Sequence, residues 1–99
     1  LDVNIIDVAG NSFRNIVGAA TTVVKTGSGT LYSIVINKPV ALGVITVYDN
    51  TSATGTLIGT ITNPAALLQQ QVALPFNLRF GTGLTVVTSS TDDITVIYK

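Results

Sequence analysis

The sequence predicts an all-β fold: an antiparallel β-sandwich, of jelly-roll or immunoglobulin-like type, with about eight short strands. Short runs rich in Val, Ile, Thr and Tyr recur along the chain and are separated by Gly, Asn, Asp and Ser. The runs follow one another at a spacing of roughly 8–12 residues, which is typical of sandwiches. No segment between them is long enough for the crossover helices of a parallel sheet, so we expect antiparallel strands.

The runs divide the chain into one domain with two parts. They place strands at residues 3–8, 21–26, 31–37, 43–49, 57–61, 72–80, 84–88 and 94–98. Residues 1–19 form an N-terminal arm with the first strand, and residues 20–99 form the sandwich. Residues 10–20 fit either a loop or an irregular strand. Asn63 and Pro64 suit the N-cap and first position of a helix, so we expect at most one short helical turn there.

For some of these runs the sequence also predicts which residues share a face, where the strand lies in its sheet or which strand it pairs with. Residues 72–80 alternate strictly, with Val72, Leu74, Phe76, Leu78 and Phe80 on one face, which indicates a strand with one packed face. Pro75 has no N–H, so this strand should lie at a sheet edge or be interrupted. In residues 31–37 the alternation groups Tyr32 with Ile34 and Ile36. The last two runs flank a polar segment, residues 89–93, and should pair as an antiparallel hairpin.

Composition argues for a covered surface. Hydrophobic residues make up 46% of the 99 residues and charged residues 10%, with a formal net charge of +0. An average domain has about 25% charged residues, and a surface this poor in charge favours association. We therefore expect other subunits to cover part of it, the alternative being a monomer coated with Thr and Ser. The five Lys and Arg residues are scattered, which argues against nucleic-acid or membrane partners.

Catalysis is not expected, because the residues for it are missing or scattered. The chain has no His and no Cys, which excludes a Ser-His-Asp triad and a thiolate metal site. The adjacent Asp92 and Asp93 fit a polar turn better than an acid–base pair. Neither they nor Asp49 with Asn50 offer the roughly 6–8 oxygens of a calcium site. We expect no enzyme activity, no cofactor and no metal.

Two glycine motifs and the tyrosines also favour structural roles. Residues 27–29 and 81–83 are not followed by a helix, so they are not phosphate-binding loops but turns whose glycines adopt positive φ. Tyr32 and Tyr98 fall on apolar strand faces and should pack in the core. Tyr48 lies opposite Ile45 and Val47, which makes it the candidate exposed aromatic.

Several segments together resemble a known class of proteins. They are TVVK at residues 22–25, GSG at 27–29, LYSIVIN at 31–37, ITVYDNT at 45–51, GTLI at 55–58, FGTGLTVVT at 80–88 and DITVIY at 93–98. This pattern of strands and turns, over residues 20–99, resembles small β-sandwich virion proteins of tailed bacteriophages, of the capsid decoration or cement type. The resemblance implies a structural protein on the capsid surface and carries over no catalytic residue.

The expected function is therefore to decorate or cement a capsid by binding the junctions between major capsid proteins. The expected state is a homo-oligomer, with a trimer favoured. The candidate interface residues are Leu1, Val3, Ile5 and Ile6 in the arm, Val35, Val44, Tyr48 and Ile97 on second strand faces, and Leu67 and Leu68 in a connection. The alternatives are a carbohydrate- or receptor-binding module of a phage fibre, using Tyr48 and the loop at residues 50–55, or a tail or neck subunit.

Overall fold

The computed structural model describes residues 11–65 and 72–99, which form eight strands and, within those ranges, no helix. The strands are β1 (Ser12–Val17), β2 (Ala20–Thr26), β3 (Gly29–Lys38), β4 (Val44–Asp49), β5 (Thr56–Thr62), β6 (Val72–Phe80), β7 (Gly83–Thr88) and β8 (Asp93–Tyr98). Strands β2 to β8 match seven predicted runs to within two residues, and β1 lies in the segment that fitted either a loop or a strand. The strand predicted at residues 3–8 lies outside the described residues.

The strands pair as one long antiparallel hairpin that is rolled up. β1 pairs with β8, β2 with β7, β3 with β6, and β4 with β5. Two further pairings, β3 with β8 and β4 with β7, join these ribbons into two four-stranded sheets. Sheet I has the order β1-β8-β3-β6 and sheet II the order β2-β7-β4-β5. This is the eight-stranded jelly roll, not the strand grouping of an immunoglobulin domain.

The hairpin expected between the last two strands is wrong. β7 lies in sheet II and β8 in sheet I, so residues 89–92 cross from one sheet to the other. Backbone hydrogen bonds fix both ends of this crossing: Ser89 N donates to Val44 O at 3.0 Å, and Gly18 N donates to Asp92 O at 3.1 Å. A short polar segment between two strands is compatible with a hairpin and with a change of sheet, and only the long-range pairing separates them.

The core lies between the inner faces of the two sheets and is aliphatic with one phenylalanine. Its buried members are Ile16, Val24, Leu31, Ile34, Ile36, Ile45, Val47, Phe80, Leu84, Val86, Ile94 and Val96. The inner face of β6 follows the predicted alternation, with Phe80 buried, although Val72 at its start remains 42% exposed. Pro75 lies on β6, an edge strand of sheet I, as its missing N–H predicts.

A β-bulge changes the predicted face of β3. The register of β3 shifts between Leu31 and Ser33 against both neighbouring strands. Because a bulge inserts an extra residue, Leu31 joins Ile34 and Ile36 in the core, and Tyr32 stays half-buried outside it. The expectation that Tyr32 packs in the core is therefore wrong, whereas Tyr98 does pack against the core.

The connections gather at two opposite ends of the sandwich. The Asp49 end carries the β2–β3, β4–β5 and β6–β7 connections, which are residues 27–28, 50–55 and 81–82. The Asp92 end carries the remaining ones, including residues 18–19, 39–43 and 89–92. Among the described residues, no helix has the length and apolar character needed to cross a membrane.

Candidate functional site

The predicted interface residues do not form one patch. Strand register places Val35 and Ile97 on the outer face of sheet I, and Val44 and Tyr48 on the outer face of sheet II, on the opposite side of the molecule. All four are half-buried. The other six candidates, Leu1, Val3, Ile5, Ile6, Leu67 and Leu68, lie outside the described residues. The sandwich therefore offers two separate candidate surfaces.

Outer face I contains the two most exposed large hydrophobic side chains of the described residues. Phe13 is 73% exposed and Val17 is 66% exposed, both on the outer side of β1. Phe13 lies opposite Ile97, so these two extend the same apolar row. Neither residue is predicted from the sequence, because Arg14 and Ile16, one polar and one apolar, alternate with them along the strand and hide the period of two in polarity. Their exposure on an edge strand becomes visible only with the strand order.

A polar cluster crosses the three strands of outer face I beside this row. Asn15 Nδ2 on β1 donates to Asp93 Oδ1 at 2.7 Å and to the backbone oxygen of Ile94 at 2.8 Å. Asn37 Nδ2 on β3 donates to the same Asp93 oxygen at 3.2 Å and to Thr95 Oγ1 at 3.0 Å. One carboxylate on β8 thus binds both neighbouring strands. Its second oxygen accepts no hydrogen bond from the described residues.

Outer face II has no charged side chain at its described strand positions. Its members are Thr21, Val23, Val44, Thr46, Tyr48, Leu57, Thr60, Thr62 and Val87. Val23 is 42% exposed and Leu57 is 53% exposed. Thr85 also points outward but is fully buried, and its Oγ1 donates to Asn50 O at 2.7 Å. The face is therefore a hydroxyl and aliphatic surface without ionic groups.

At the Asp49 end, one carboxylate organises the turn between β6 and β7. Asp49 Oδ2 accepts from Gly81 N at 2.9 Å, and Asp49 Oδ1 accepts from Thr82 N at 2.8 Å and Gly83 N at 3.3 Å. The hydrogen bonds from Gly81 and then Thr82 lower the pKa of the Asp49 carboxyl below its usual value. These N–H groups bind a side chain of the chain itself, which fits the prediction of a turn.

Two different constraints require glycine in these turns, a positive φ at one position and a lack of space for a Cβ at another. Gly27 has a φ of 91°, as predicted for a turn glycine. Gly29, Gly81 and Gly83 do not have positive φ, so that part of the prediction is wrong. At Gly83 the requirement is space, because a Cβ would lie 2.8 Å from Thr51 Cγ2.

At the Asp92 end, a buried carboxylate meets a buried amide. Asp92 is 1% exposed and Asn63 is 4% exposed. Asn63 Nδ2 donates to Asp92 Oδ2 at 2.7 Å and to Val40 O at 2.9 Å. Gly43 makes room for this contact, since a Cβ there would lie 2.7 Å from Asp92 Oδ1. Asn63 thus links its own connection to the two that contain Val40 and Asp92. The helical turn predicted after Asn63 falls partly outside the described residues.

The two adjacent carboxylates diverge, as expected for neighbours in extended chain. Asp92 points to Asn63 in the interior, and Asp93 points to Asn15 and Asn37 on outer face I. Among the residues that the structure describes, no group of three or more Asp, Glu, His or Cys side chains is placed to hold a metal ion. The features these residues do present are apolar faces, a carboxylate–amide cluster and strand edges, which are elements of binding surfaces.

Comparisons with models of protein families, with curated proteins and with solved structures found no match to this chain.

Proposed function

We propose that the chain is a structural virion protein that decorates or cements a phage capsid at junctions between major capsid proteins. The observation that supports this most is outer face II, which combines exposed Val23 and Leu57 with a complete lack of charge at its described strand positions. The buried centres of protein interfaces are depleted of charged residues in the same way. The resemblance of residues 20–99 to decoration proteins supplies the partner.

The proposed mechanism is linkage between binding and stability. A protein that binds only the assembled lattice stabilises that lattice by RT ln(1 + [L]/Kd). Binding as a homo-oligomer joins several lattice contacts and adds avidity. The N-terminal arm that precedes β1 would add a strand to a sheet edge of the capsid protein, with Leu1, Val3, Ile5 and Ile6 as its apolar contacts.

Immunogold labelling of particles from cells that express the gene tests this function. Antibodies against the chain should label the outer surface of the capsid, and unlabelled capsids would contradict the proposal. Label confined to tails or necks would instead identify a subunit of those parts.

Charge substitutions on outer face II test the surface itself. Particles assembled with Val23→Lys or Leu57→Lys should carry less of the protein, because a lysine buried in an uncharged contact loses its hydration. Leu42→Lys is the matched control: Leu42 is 64% exposed in the β3–β4 connection, off outer face II. Equal occupancy by all three variants would exclude outer face II as the contact.

A carbohydrate-binding module is the second candidate, and outer face I supplies its supporting observation. The Phe13 ring is exposed on the same face as the Asp93 cluster, so an apolar platform and acceptor oxygens share one surface. Tyr48, the aromatic expected from sequence, is half-buried on the other face. A glycan array with the natural chain and Phe13→Ala tests this candidate. Binding that Phe13→Ala abolishes would support it, and no binding to any glycan would exclude it.

A further inference from the structure

One of the four edge strands of the sandwich, β1, differs from the other three in the regularity of its pairing. Each sheet has two edges, which are β1 and β6 in sheet I and β2 and β5 in sheet II. Register shifts interrupt the pairing of β2 with β7, of β5 with β4, and of β6 with β3. β6 also contains Pro75, and its Asn77 has a φ of 50°. β1 alone pairs with its neighbour over all six residues without a shift.

Bulges and prolines are the devices by which proteins keep sheet edges from pairing with another chain. A bulge bends and twists the edge, and a proline removes a donor from it. Three edges of this sandwich have a bulge or a proline, and β1 has neither among its described residues; its one such device there is Arg14, a charged residue on the inner side of the strand. Among the described strands, β1 is therefore the edge whose regular backbone is best suited to receive another strand.

The side chains of β1, like its regular backbone, favour pairing with another strand. Phe13 and Val17 are the two most exposed large hydrophobic residues among those described, and both lie on the outer side of β1. Exposed apolar side chains on a regular edge strand mark a surface for association.

We propose that β1 pairs antiparallel with β1 of a second copy around a two-fold axis, with Asn15 opposite Asn15 of the second copy. In this register Phe13 lies opposite Val17 of the second copy, and the symmetry repeats the pair. On the other side of the strand, Arg14 lies opposite Ile16 of the second copy. One strand thus supplies both halves of the contact, as a two-fold interface requires.

Neighbouring registers fit less well. A slip of one residue sets outward side chains of one copy against inward side chains of the other. A slip of two residues in one direction places Arg14 opposite Arg14 of the second copy, and like charges directly opposite each other are destabilising. A slip of two residues in the other direction removes the Phe13–Val17 pair. The register centred on Asn15 is the one that joins the apolar pairs and keeps the arginines apart.

The pairing would build a continuous sheet of eight strands across the two copies. It goes beyond the proposed capsid role and does not depend on it, because it concerns the chain alone in solution. It also replaces the trimer expected from the sequence with a dimer. A dimer has twice the chain mass of 10.3 kDa, which separates it from a monomer and a trimer.

Light scattering after size exclusion, on the full chain over a range of concentrations, is the first test. The natural chain should give the dimer mass. Phe13→Lys and Val17→Glu, each alone, should weaken the dimer by on the order of tenfold, since each replaces one member of the apolar Phe13–Val17 pair with a charged side chain twice per dimer. Leu57→Lys is the matched control, because Leu57 is 53% exposed on the bulged edge β5, and it should leave the dimer intact.

The double variant with Phe13→Lys and Val17→Glu tests the register. Its lysine would face the glutamate of the second copy at both pairs, so dimerisation should recover. Within one chain the two positions are about 13 Å apart along the strand and cannot form this pair. A monomer or a trimer of the natural chain, a dimer insensitive to both single changes, or a double variant as weak as the single ones would each overturn the proposal. Circular dichroism of every variant confirms that the β-fold is retained.

Discussion

Replacing Asn63 with alanine should be one of the most damaging polar substitutions in this fold. The change removes the amide that donates to the buried Asp92 carboxylate at 2.7 Å and to Val40 O at 2.9 Å. A hydrogen bond to a charged group contributes about 1.5–3 kcal/mol, and one to a backbone carbonyl about 0.5–1.5 kcal/mol. The expected loss is therefore about 3 kcal/mol, because Asp92 is 1% exposed and water cannot readily replace the amide.

Urea unfolding followed by circular dichroism measures this loss directly. Asn50→Ala is the matched control, since the Asn50 side chain also makes two hydrogen bonds, but in an exposed loop. It should cost no more than about 1 kcal/mol. Combining Asn63→Ala with Asp92→Ala should cost less than the sum of the single changes, because no carboxylate is then left unpaired. Equal losses for Asn63→Ala and Asn50→Ala would show that burial of the Asn63–Asp92 contact adds nothing to its contribution to stability.

Three further predictions concern the core and the Asp49 end. Phe80→Ala should destabilise the fold by about 3–5 kcal/mol in the same unfolding assay, because Phe80 is 1% exposed and its loss leaves a cavity. Gly83→Ala should cost about 1–3 kcal/mol through overpacking, whereas Gly81→Ala should be tolerated, because the nearest atom to its Cβ would be 4.0 Å away. The folded-state pKa of Asp49 is lowered, so its contribution to stability is present above about pH 4 and is lost as the pH falls through that lowered pKa. Asp49→Asn should flatten this part of a pH titration of stability, and an unchanged titration would contradict the assignment.

Local patterns predicted most strands, because alternation and turn residues act over a few positions. The run 72–80 alternates so regularly that its bounds follow from sequence. Pro75 predicted a strand that lies at an edge or is interrupted, and the strand order places it at an edge. β1 stayed undecided between a loop and a strand because Phe13, Ile16 and Val17 do not alternate in polarity. The bulge beside Tyr32 leaves no sequence signal of its own, and it moves Leu31 into the core instead.

The sheet assignment and the surfaces depended on long-range pairing. Residues 89–93 read as a hairpin turn, yet the buried Asp92 and its contact with Asn63 belong to a crossing between sheets. Val35 and Val44 were predicted to lie on the outward faces of their strands, and they do. Their division between two opposite faces follows only from which sheet each strand joins, and a local pattern does not contain that information.

A cryo-electron microscopy map of particles from cells that express the gene tests the central proposal most directly. We expect eight-stranded jelly-roll density at the junctions between capsid proteins, with outer face II, around Val23 and Leu57, turned toward the capsid. A capsid surface without this density, in particles that labelling shows to contain the chain, would contradict the decoration role.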